Sequence, residues 1–248
     1  MESPDTALVH ALEERAFNAW PARQAVLHGG WLFRLSDGFT KRANSANAVL
    51  PGASFDGQRA AAEAFYARHG QPAVFRISPL APPAADRELA EAGYAVLDPS
   101  LVLHAPLPGL QAQAHVHVAS ERSDAWLDGL AAANGVPRQQ WAMHHAMVHL
   151  IALPAGFATV LIGGQPVAYG LAVLERGAVG LYDLVVAPQH RGQGHGRALV
   201  QGLLHWGQHA GAGWAYLQVS AQNAPACALY AALGFTRCYG YHYRAKAA

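Results

Sequence analysis

Hydrophobic and polar residues alternate along this chain in two patterns, one typical of strands and one typical of helices. Short apolar runs bounded by glycine, proline or aspartate predict strands at residues 31–35, 40–49, 73–77, 101–104, 114–118, 158–162, 166–174, 179–186, 214–219 and 236–244. Amphipathic segments predict helices at residues 58–69, 86–92, 120–133, 139–150, 194–209 and 224–232. Ser120 is predicted to cap the third of these helices. The mixture predicts an α/β protein.

One break in the pattern divides the chain near its middle. Pro106, Pro108 and Gly109 interrupt the periodic segments there. The break predicts two domains, residues 1–108 and residues 109–248.

The two halves share a weak internal repeat. A glycine begins a helical segment at residues 57–60 and again at residues 196–198. Gly93 and Gly234 each follow a later helical segment and lead into a strand. The repeat indicates a duplicated unit, and chance similarity in a chain rich in alanine and glycine is the alternative.

Composition excludes several classes of partner. The 248 residues carry a net charge of +1 with scattered Lys and Arg, so we expect neither nucleic acid nor a membrane surface as partner. The two cysteines suit a reducing compartment. Residues 1–14 lack the pattern of a signal peptide, and no apolar run reaches membrane-spanning length. We therefore expect a cytoplasmic protein, with a homodimer left open.

The strongest signal for chemistry is a glycine-rich segment between a hydrophobic strand and an amphipathic helix. It is Arg191-Gly192-Gln193-Gly194-His195-Gly196. The first turn of a helix presents unbonded N–H groups and a partial positive charge, which suit phosphate oxygens. Glycine lets the backbone approach a ligand closely, and Arg191 adds a charge-assisted contact. The segment therefore predicts a phosphate site.

Other glycine-rich motifs fit this segment less well. A P-loop ends in Gly-Lys-Ser or Gly-Lys-Thr, which is absent here. A dinucleotide fingerprint has the spacing G-x-G-x-x-G, whereas this segment has G-x-G-x-G. A glycine-rich turn without a ligand is the remaining alternative.

Together, Val186-Ala187-Pro188 and residues 191–196 resemble the acetyl-CoA signature of the GNAT N-acetyltransferase superfamily. Residues 223–235 resemble its second motif, and the similarity covers residues 114–244. The start of the chain, from residues 18–21, more loosely resembles the N-terminal part of a bacterial subgroup of these enzymes. The resemblance implies a GNAT fold with a mixed, mostly antiparallel sheet, in tandem with a degenerate N-terminal half. It also implies that two strands separate beside the glycine-rich segment.

The resemblance implies acetyl-CoA as the acyl donor and no metal. Its pantetheine arm would pair with the backbone of the strand end, and its pyrophosphate would lie on the amides of the following loop. The cofactor-binding residues expected are Leu184, Val185, Val186, Arg191, Gly192, Gln193, Gly194, His195, Gly196, Arg197 and Asn223. Asn223 is equally well interpreted as a helix N-cap.

Acetyl transfer to an amine needs a base for the amine and a proton donor for the leaving thiolate. The resemblance places Tyr230 near the CoA sulfur as the candidate acid, and a core aromatic residue is the alternative. Asp183, on the strand before the loop, is the candidate base, directly or through water. Its alternative is a carboxylate in an ordinary ion pair, and Glu175 is a weaker candidate.

The first half lacks both chemical features. The position four residues before Gly93 is Leu89, where the second half has Tyr230 four residues before Gly234. Residues 53–57 stand where the second half has its glycine loop. We expect the first half to bind no acetyl-CoA and to shape the substrate pocket.

Histidine clusters suggest two further interpretations. His145 and His149 share a predicted helix face with His144 adjacent, but no H-E-x-x-H pattern or Cys/His cluster accompanies them. A metal site is therefore not expected, whereas lining of the substrate pocket stays open. Cys227 is interpreted as a packing residue.

These features predict an N-acetyltransferase that moves the acetyl group of acetyl-CoA to a small primary amine by direct attack in a ternary complex. An amino acid or an amino-bearing antimetabolite is the expected kind of acceptor. The alternatives are a protein lysine or N-terminal acetyltransferase and, from another class, a non-catalytic acyl-CoA-binding regulatory module.

Overall fold

A computed structural model describes residues 5–107, 109 and 111–246. Within these residues the strands are β1 Gln24–His28, β2 Trp31–Leu35, β3 Ala46–Ala48, β4 Val74–Ile77, β5 Ala95–Pro106, β6 Val116–Ala119, β7 Ala155–Ile162, β8 Gln165–Glu175, β9 Ala178–Val186, β10 Trp214–Ser220 and β11 Thr236–Ala245. The helices are α1 Thr6–Ala19, α2 Gln58–Ala67, α3 Pro83–Glu91, α4 Asp124–Ala133, α5 Trp141–His149, α6 His195–His209 and α7 Ala224–Ala231.

The chain forms two compact units. The first contains residues 5–102, 219–224 and 237–246, and the second contains Leu103–Gln218 and Pro225–Thr236. The division into residues 1–108 and 109–248 stays a prediction, and Pro108 lies outside the described residues.

In the first unit the strands lie in the order β1-β2-β3-β4-β11. β3 and β4 are parallel, and the other pairs are antiparallel. Beneath them, the buried side chain of Glu13 on α1 forms an ion pair with Arg76 of β4 and accepts a hydrogen bond of 2.5 Å from Tyr239 of β11. A buried charge needs a partner, and the partners of Glu13 come from β4 and β11. The network therefore joins the first helix to the last strand.

In the second unit the order is β10-β9-β8-β7-β6. β9 and β10 are parallel, and the remaining pairs are antiparallel. The predicted class, α/β with a mixed and mostly antiparallel sheet, is thus observed in each unit.

The internal repeat predicted from the sequence appears in the element order. Each unit has three antiparallel strands, then a helix, then a strand parallel to the third: β1-β2-β3-α2-β4 and β7-β8-β9-α6-β10. Gly57 caps α2 with φ +70° and Gly194 caps α6 with φ +85°, so Gly57 corresponds to Gly194 rather than to Gly196.

The repeat extends to the helix that follows. The N–H of Tyr94 donates to Leu89 O at 2.9 Å, and the N–H of Phe235 donates to Tyr230 O at 3.0 Å. The matching bonds place Leu89 and Tyr230 at equivalent positions, at the ends of α3 and α7.

β9 and β10 separate partway along their length. Their pairing runs from Ala178–Trp214 to Leu181–Leu217, whereas β9 continues to Val186 paired with β8. Just past the last pair, the hydroxyl of Tyr182 donates to that of Tyr216 at 2.8 Å. The separation implied by the family resemblance is therefore present.

Helix α6 lies close to the sheet of the second unit because its glycines leave room. A Cβ at Gly202 would come within 2.5 Å of Val116, and a Cβ at Gly207 within 2.8 Å of Val179 Cβ. This close packing holds α6 in position against the sheet, and the glycine-rich segment leads into the first turn of α6.

Several sequence predictions need correction. Helix α1 and strand β1 were not predicted; β1 is exposed along its length and so lacks the alternation of a half-buried strand. The predicted strand 40–49 is a 3₁₀ turn, Lys41–Ala43, followed by the short β3. The cap of α4 is Ser123 rather than Ser120, since Ser123 Oγ accepts from the N–H of Trp126 at 3.2 Å.

Among the described residues, no helix has both the length and the apolar character needed to cross a membrane.

The packing of α6 yields a stability prediction. Gly207→Ala should lower the free energy of unfolding by about 1–2 kcal/mol, because the clash with Val179 outweighs the gain of about 1 kcal/mol in helix propensity. Gly196→Ala is the matched control, since its Cβ would be 3.6 Å from Leu229 and Val186, and it should cause no loss. Urea denaturation measures both; equal effects would contradict the packing argument.

Candidate active site

The segment predicted to bind phosphate forms the entry to α6. Gly192 and Gly194 have φ +74° and +85°, conformations that glycine adopts without strain. The space around their Cβ positions is open. His195, Gly196 and Arg197 follow as the first turn of α6, where the amides have no acceptor within the helix. The backbone here has the geometry of a helix N-terminus beside open space, and phosphate binding to it stays a prediction.

Two side chains anchor the loop, one to the preceding strand and one to the 3₁₀ turn Pro188–His190 that follows it. Arg191 Nε donates to Val186 O at 3.1 Å, which joins the loop to the end of β9. Gln193 Nε2 donates to Gln189 O at 3.4 Å. Arg191 is exposed, so its guanidinium still faces solvent from this anchored position.

Helix α7 is near the same place. The Cβ position of Gly196 is 3.6 Å from Leu229 of α7 and 3.6 Å from Val186 of β9. The end of β9, the start of α6 and α7 thus meet around Gly196.

The surrounding sequence carries positive charge. From Leu184 onward the chain contains no Asp or Glu, whereas Arg191 and Arg197 flank the loop. The local field therefore favours an anionic ligand.

Asp183 lies at an irregularity of β9. The register with β8 shifts between Tyr169 and Leu171, and Asp183 has φ +47°. A positive φ is uncommon outside glycine, although Asp tolerates it better than most residues. The carboxylate is recessed but accessible, with 23% of the side chain exposed.

His144 of α5 accompanies this carboxylate. Its Nε2 is 3.7 Å from Asp183 Oδ2, and its side chain is 3% exposed. The sequence singled out His144 only as a neighbour of His145 and His149. The contact was missed because the two residues lie on separate elements, and no local pattern links them.

Tyr230 lies at the end of α7 and is buried. Its ring contacts Phe235 with centroids 5.9 Å apart. Burial raises the pKa of the Tyr230 phenol to about 12, with a smaller contribution from Cys227. The phenol is therefore protonated at neutral pH and able to donate.

The other predicted cofactor residues occupy two places. Leu184, Val185 and Val186 form the end of β9 beyond its last pair with β10, and all are partly exposed. Asn223 lies just before α7, in a segment of the first unit, and its N–H donates to Ser220 O at 3.0 Å. The roles of these residues stay predictions.

The histidines do not assemble a metal site in the described part of the chain, where no three His, Cys, Asp or Glu side chains come together. His145 instead pairs with Asp128 of α4, Nε2 to Oδ1, at 3.5 Å. His149 Nδ1 contacts His145 O at 2.7 Å.

The corresponding region of the first unit is filled by side chains. Phe55, at 4% exposure, packs against Trp31 and Phe75 with centroids 5.3 and 5.9 Å away. Gln58, the first residue of α2, accepts a hydrogen bond of 2.9 Å at its Oε1 from His28 Nδ1. With Gly57 equivalent to Gly194, Phe55 thus stands at the position of Gly192 and Asp56 at that of Gln193.

Comparisons with known proteins show the family of this chain. A family model described as "Probable histone acetyltransferase Rv0428c C-terminal" matches residues 6–244. The chain belongs to this acetyltransferase family. YobR, an uncharacterized N-acetyltransferase of Bacillus subtilis (strain 168), is 29% identical over 246 residues, which cover 96% of this chain and 98% of YobR.

Two solved structures show the GNAT fold. A GCN5-related N-acetyltransferase from Kribbella flavida superposes with a TM-score of 0.74 at 17% identity, covering 98% of this chain and 97% of its own. A tandem GNAT protein from the clavulanic acid biosynthesis pathway gives 0.64 at 15% identity, covering 98% and 89%.

The predicted membership of the GNAT superfamily, the tandem GNAT fold and the assignment as an acyltransferase are therefore confirmed. The catalytic and cofactor-binding residues of this GNAT enzyme stay predictions.

The burial of Tyr230 predicts its titration. Exposed phenols ionise near pH 10, whereas Tyr230 should stay protonated until about pH 12. Because the folded-state pKa is raised, its contribution to stability is complete below about pH 10 and is lost as the pH rises toward 12. Phenolate absorbance of the wild type minus that of Tyr230→Phe measures this. A difference signal that rises near pH 10 would contradict the burial.

Proposed function

We propose that this GNAT acyltransferase moves the acetyl group of acetyl-CoA to a small primary amine by direct attack in a ternary complex. The observation that carries the proposal is the meeting of β9, the start of α6 and α7 around Gly196, with Asp183 on β9 and Tyr230 on α7. The proposed sites of the acetyl donor, the base and the acid thus lie on three elements, and these elements meet beside one loop.

The loop accounts for the donor. Acetyl-CoA is anionic, and its pyrophosphate fits the amides from Gly192 to Arg197, which have open space beside Gly192 and Gly194. The strand end from Leu184 to Val186 extends past its pairing with β10, so its backbone is available to the pantetheine amides.

Asp183 is assigned to the acceptor. A recessed carboxylate attracts an ammonium group and takes up its proton, since the amine must be neutral to attack the thioester carbonyl. Of the two protons left on the neutral amine, one is lost during attack and the other stays on the amide nitrogen, and one proton ends on the CoA sulfur as the C–S bond breaks.

Tyr230 is assigned to the leaving group. Its phenol is a much weaker acid than a thiol, so it stabilises the thiolate mainly by donating a hydrogen bond. A fixed donor of this kind favours the charge that develops as the C–S bond breaks.

The acceptor class rests on charge. The chain has a net charge of +1, which gives no strong field for a polycationic protein tail. This favours a small amine, such as an amino acid or an amino-bearing antimetabolite, over a protein lysine or N-terminus.

Turnover tests the proposal. We expect CoA release from acetyl-CoA with at least one member of a panel of small amines, and a loss in kcat of about 100-fold or more in Tyr230→Phe. A thiol-reactive dye measures CoA release. Tyr239→Phe, in the first unit, is a matched phenol control.

Three results would redirect the assignment. Turnover only with peptides would replace the small amine by a protein acceptor. Cofactor binding without turnover on any amine would support a regulatory acyl-CoA-binding module. Full activity in Tyr230→Phe would remove Tyr230 from the mechanism.

Binding tests the loop separately. Gly194→Trp should abolish acetyl-CoA binding in calorimetry, because a large side chain would enter the open space over the amides. Gly57→Trp, at the equivalent cap of α2, should leave affinity unchanged if the first unit takes no cofactor. Retained affinity in Gly194→Trp would contradict the site, and loss of affinity in Gly57→Trp would contradict a single site per chain.

A further inference from the structure

His144 is the one nearly buried histidine side chain that contacts a proposed reacting group in the described residues. The structure places its Nε2 3.7 Å from Asp183 Oδ2. The histidine comes from α5 and the carboxylate from the irregular part of β9. Asp183 is 23% exposed and His144 only 3%, so the carboxylate faces the accessible side and the imidazole lies behind it.

We propose that His144 is a positioning residue that takes up, through Asp183, the proton lost by the acceptor amine. The inference rests on the proposed function and names the final proton acceptor of that same site. Asp183 touches the substrate, whereas His144 acts through Asp183.

A carboxylate and an imidazole together are better suited than a carboxylate alone to take up the proton of the acceptor ammonium. A carboxylate by itself is a weak base toward an alkylammonium ion, and an imidazole is intrinsically the stronger base. A proton that passes from the ammonium to Asp183 and on to His144 leaves a carboxylate beside an imidazolium. The opposite charges stabilise each other where water is largely excluded.

The proton balance closes over one turnover. The ammonium gives one proton to the Asp183–His144 pair, and the neutral nitrogen then attacks the carbonyl carbon. The new C–N bond forms as the C–S bond breaks. The second amine proton ends on sulfur, giving free CoA, and the imidazolium releases the first proton to solvent.

The distance is compatible with this role. At 3.7 Å the two groups are at ion-pair range and slightly beyond a hydrogen bond. Catalytic hydrogen bonds are often long until the substrates are in place. A side-chain adjustment of less than 1 Å would complete this one.

Other ionisable side chains lie on the elements around the pair. His145, on α5 itself, has its ring centroid 5.8 Å from that of His144 and pairs with Asp128 of α4 at 3.5 Å. Tyr169 of β8 lies against α4, where a Cβ at Gly129 would be 2.2 Å from its hydroxyl. Asp183 is a carboxylate at ion-pair distance from His144.

His144→Gln is the first test, because glutamine keeps an N–H donor for Asp183 but does not accept a proton. We expect kcat/KM for the amine to fall about 100-fold, and the acid limb of its pH profile to disappear. Acetyl-CoA affinity should stay unchanged. His145→Gln is the matched control and should retain both the rate and the acid limb.

The double variant separates a shared role from two independent roles. Asp183→Asn combined with His144→Gln should be no slower than the worse single variant, since groups that act as a unit show non-additive losses. Multiplicative losses, or a wild-type rate and acid limb in His144→Gln, would overturn the proposal.

A second measurement needs no change at His144. Nitrogen-15 NMR of histidine-labelled protein with CoA and the acceptor amine should show a doubly protonated His144 ring in the wild type and not in Asp183→Asn. A ring that stays neutral in both would overturn the inference while leaving acetyl transfer intact. Failure of the proposed function itself would appear earlier, as absence of CoA release by the wild type.

Discussion

The separation of β9 from β10 is the constraint on which the rest of the second unit depends. The strands pair as far as Leu181 and Leu217, and the hydroxyl contact between Tyr182 and Tyr216 joins them where the pairing stops. Beyond that point β9 keeps only β8 as a partner in the described chain. An edge of backbone is left that a ligand with amide groups can pair with.

The same separation determines what surrounds that edge. The irregular backbone at Asp183 turns its carboxylate toward His144, and three residues later Val186 accepts the bond that anchors Arg191. A continuous parallel ladder would have required regular backbone at Asp183. The positions of the Asp183 carboxylate and the Arg191 side chain therefore depend on where the pairing of β9 with β10 ends.

The two units have the same element order and differ in the side chains beside equivalent helix caps. Both have a glycine in a left-handed conformation at the cap of the helix between their parallel strands. In the second unit, the residues before that cap leave open space. In the first, Phe55 fills the region with aromatic packing, and Leu89 stands where the second unit has Tyr230. The same fold thus accommodates different side chains at equivalent positions.

The glycine-rich loop, the strand before it and the helix after it were predictable because their signals are local. Helix periodicity and the positions of Gly192 and Gly194 lie within a few residues of one another. Strand β1 was not predictable, since its exposure removes the hydrophobic alternation. Ser120 was chosen over Ser123 because both are plausible caps, and only the backbone geometry distinguishes them.

The sequence was enough to predict the glycine-rich loop, the strands and helices that follow residue 57, and the resemblance to GNAT enzymes. Tertiary structure alone decided that β11, the last strand, pairs with β4 of the first unit, and that His144 contacts Asp183. Short-range periodicity fixes local structure because neighbouring residues share one backbone geometry. Contacts between distant segments depend on how whole elements pack, and no local pattern in the chain encodes that packing.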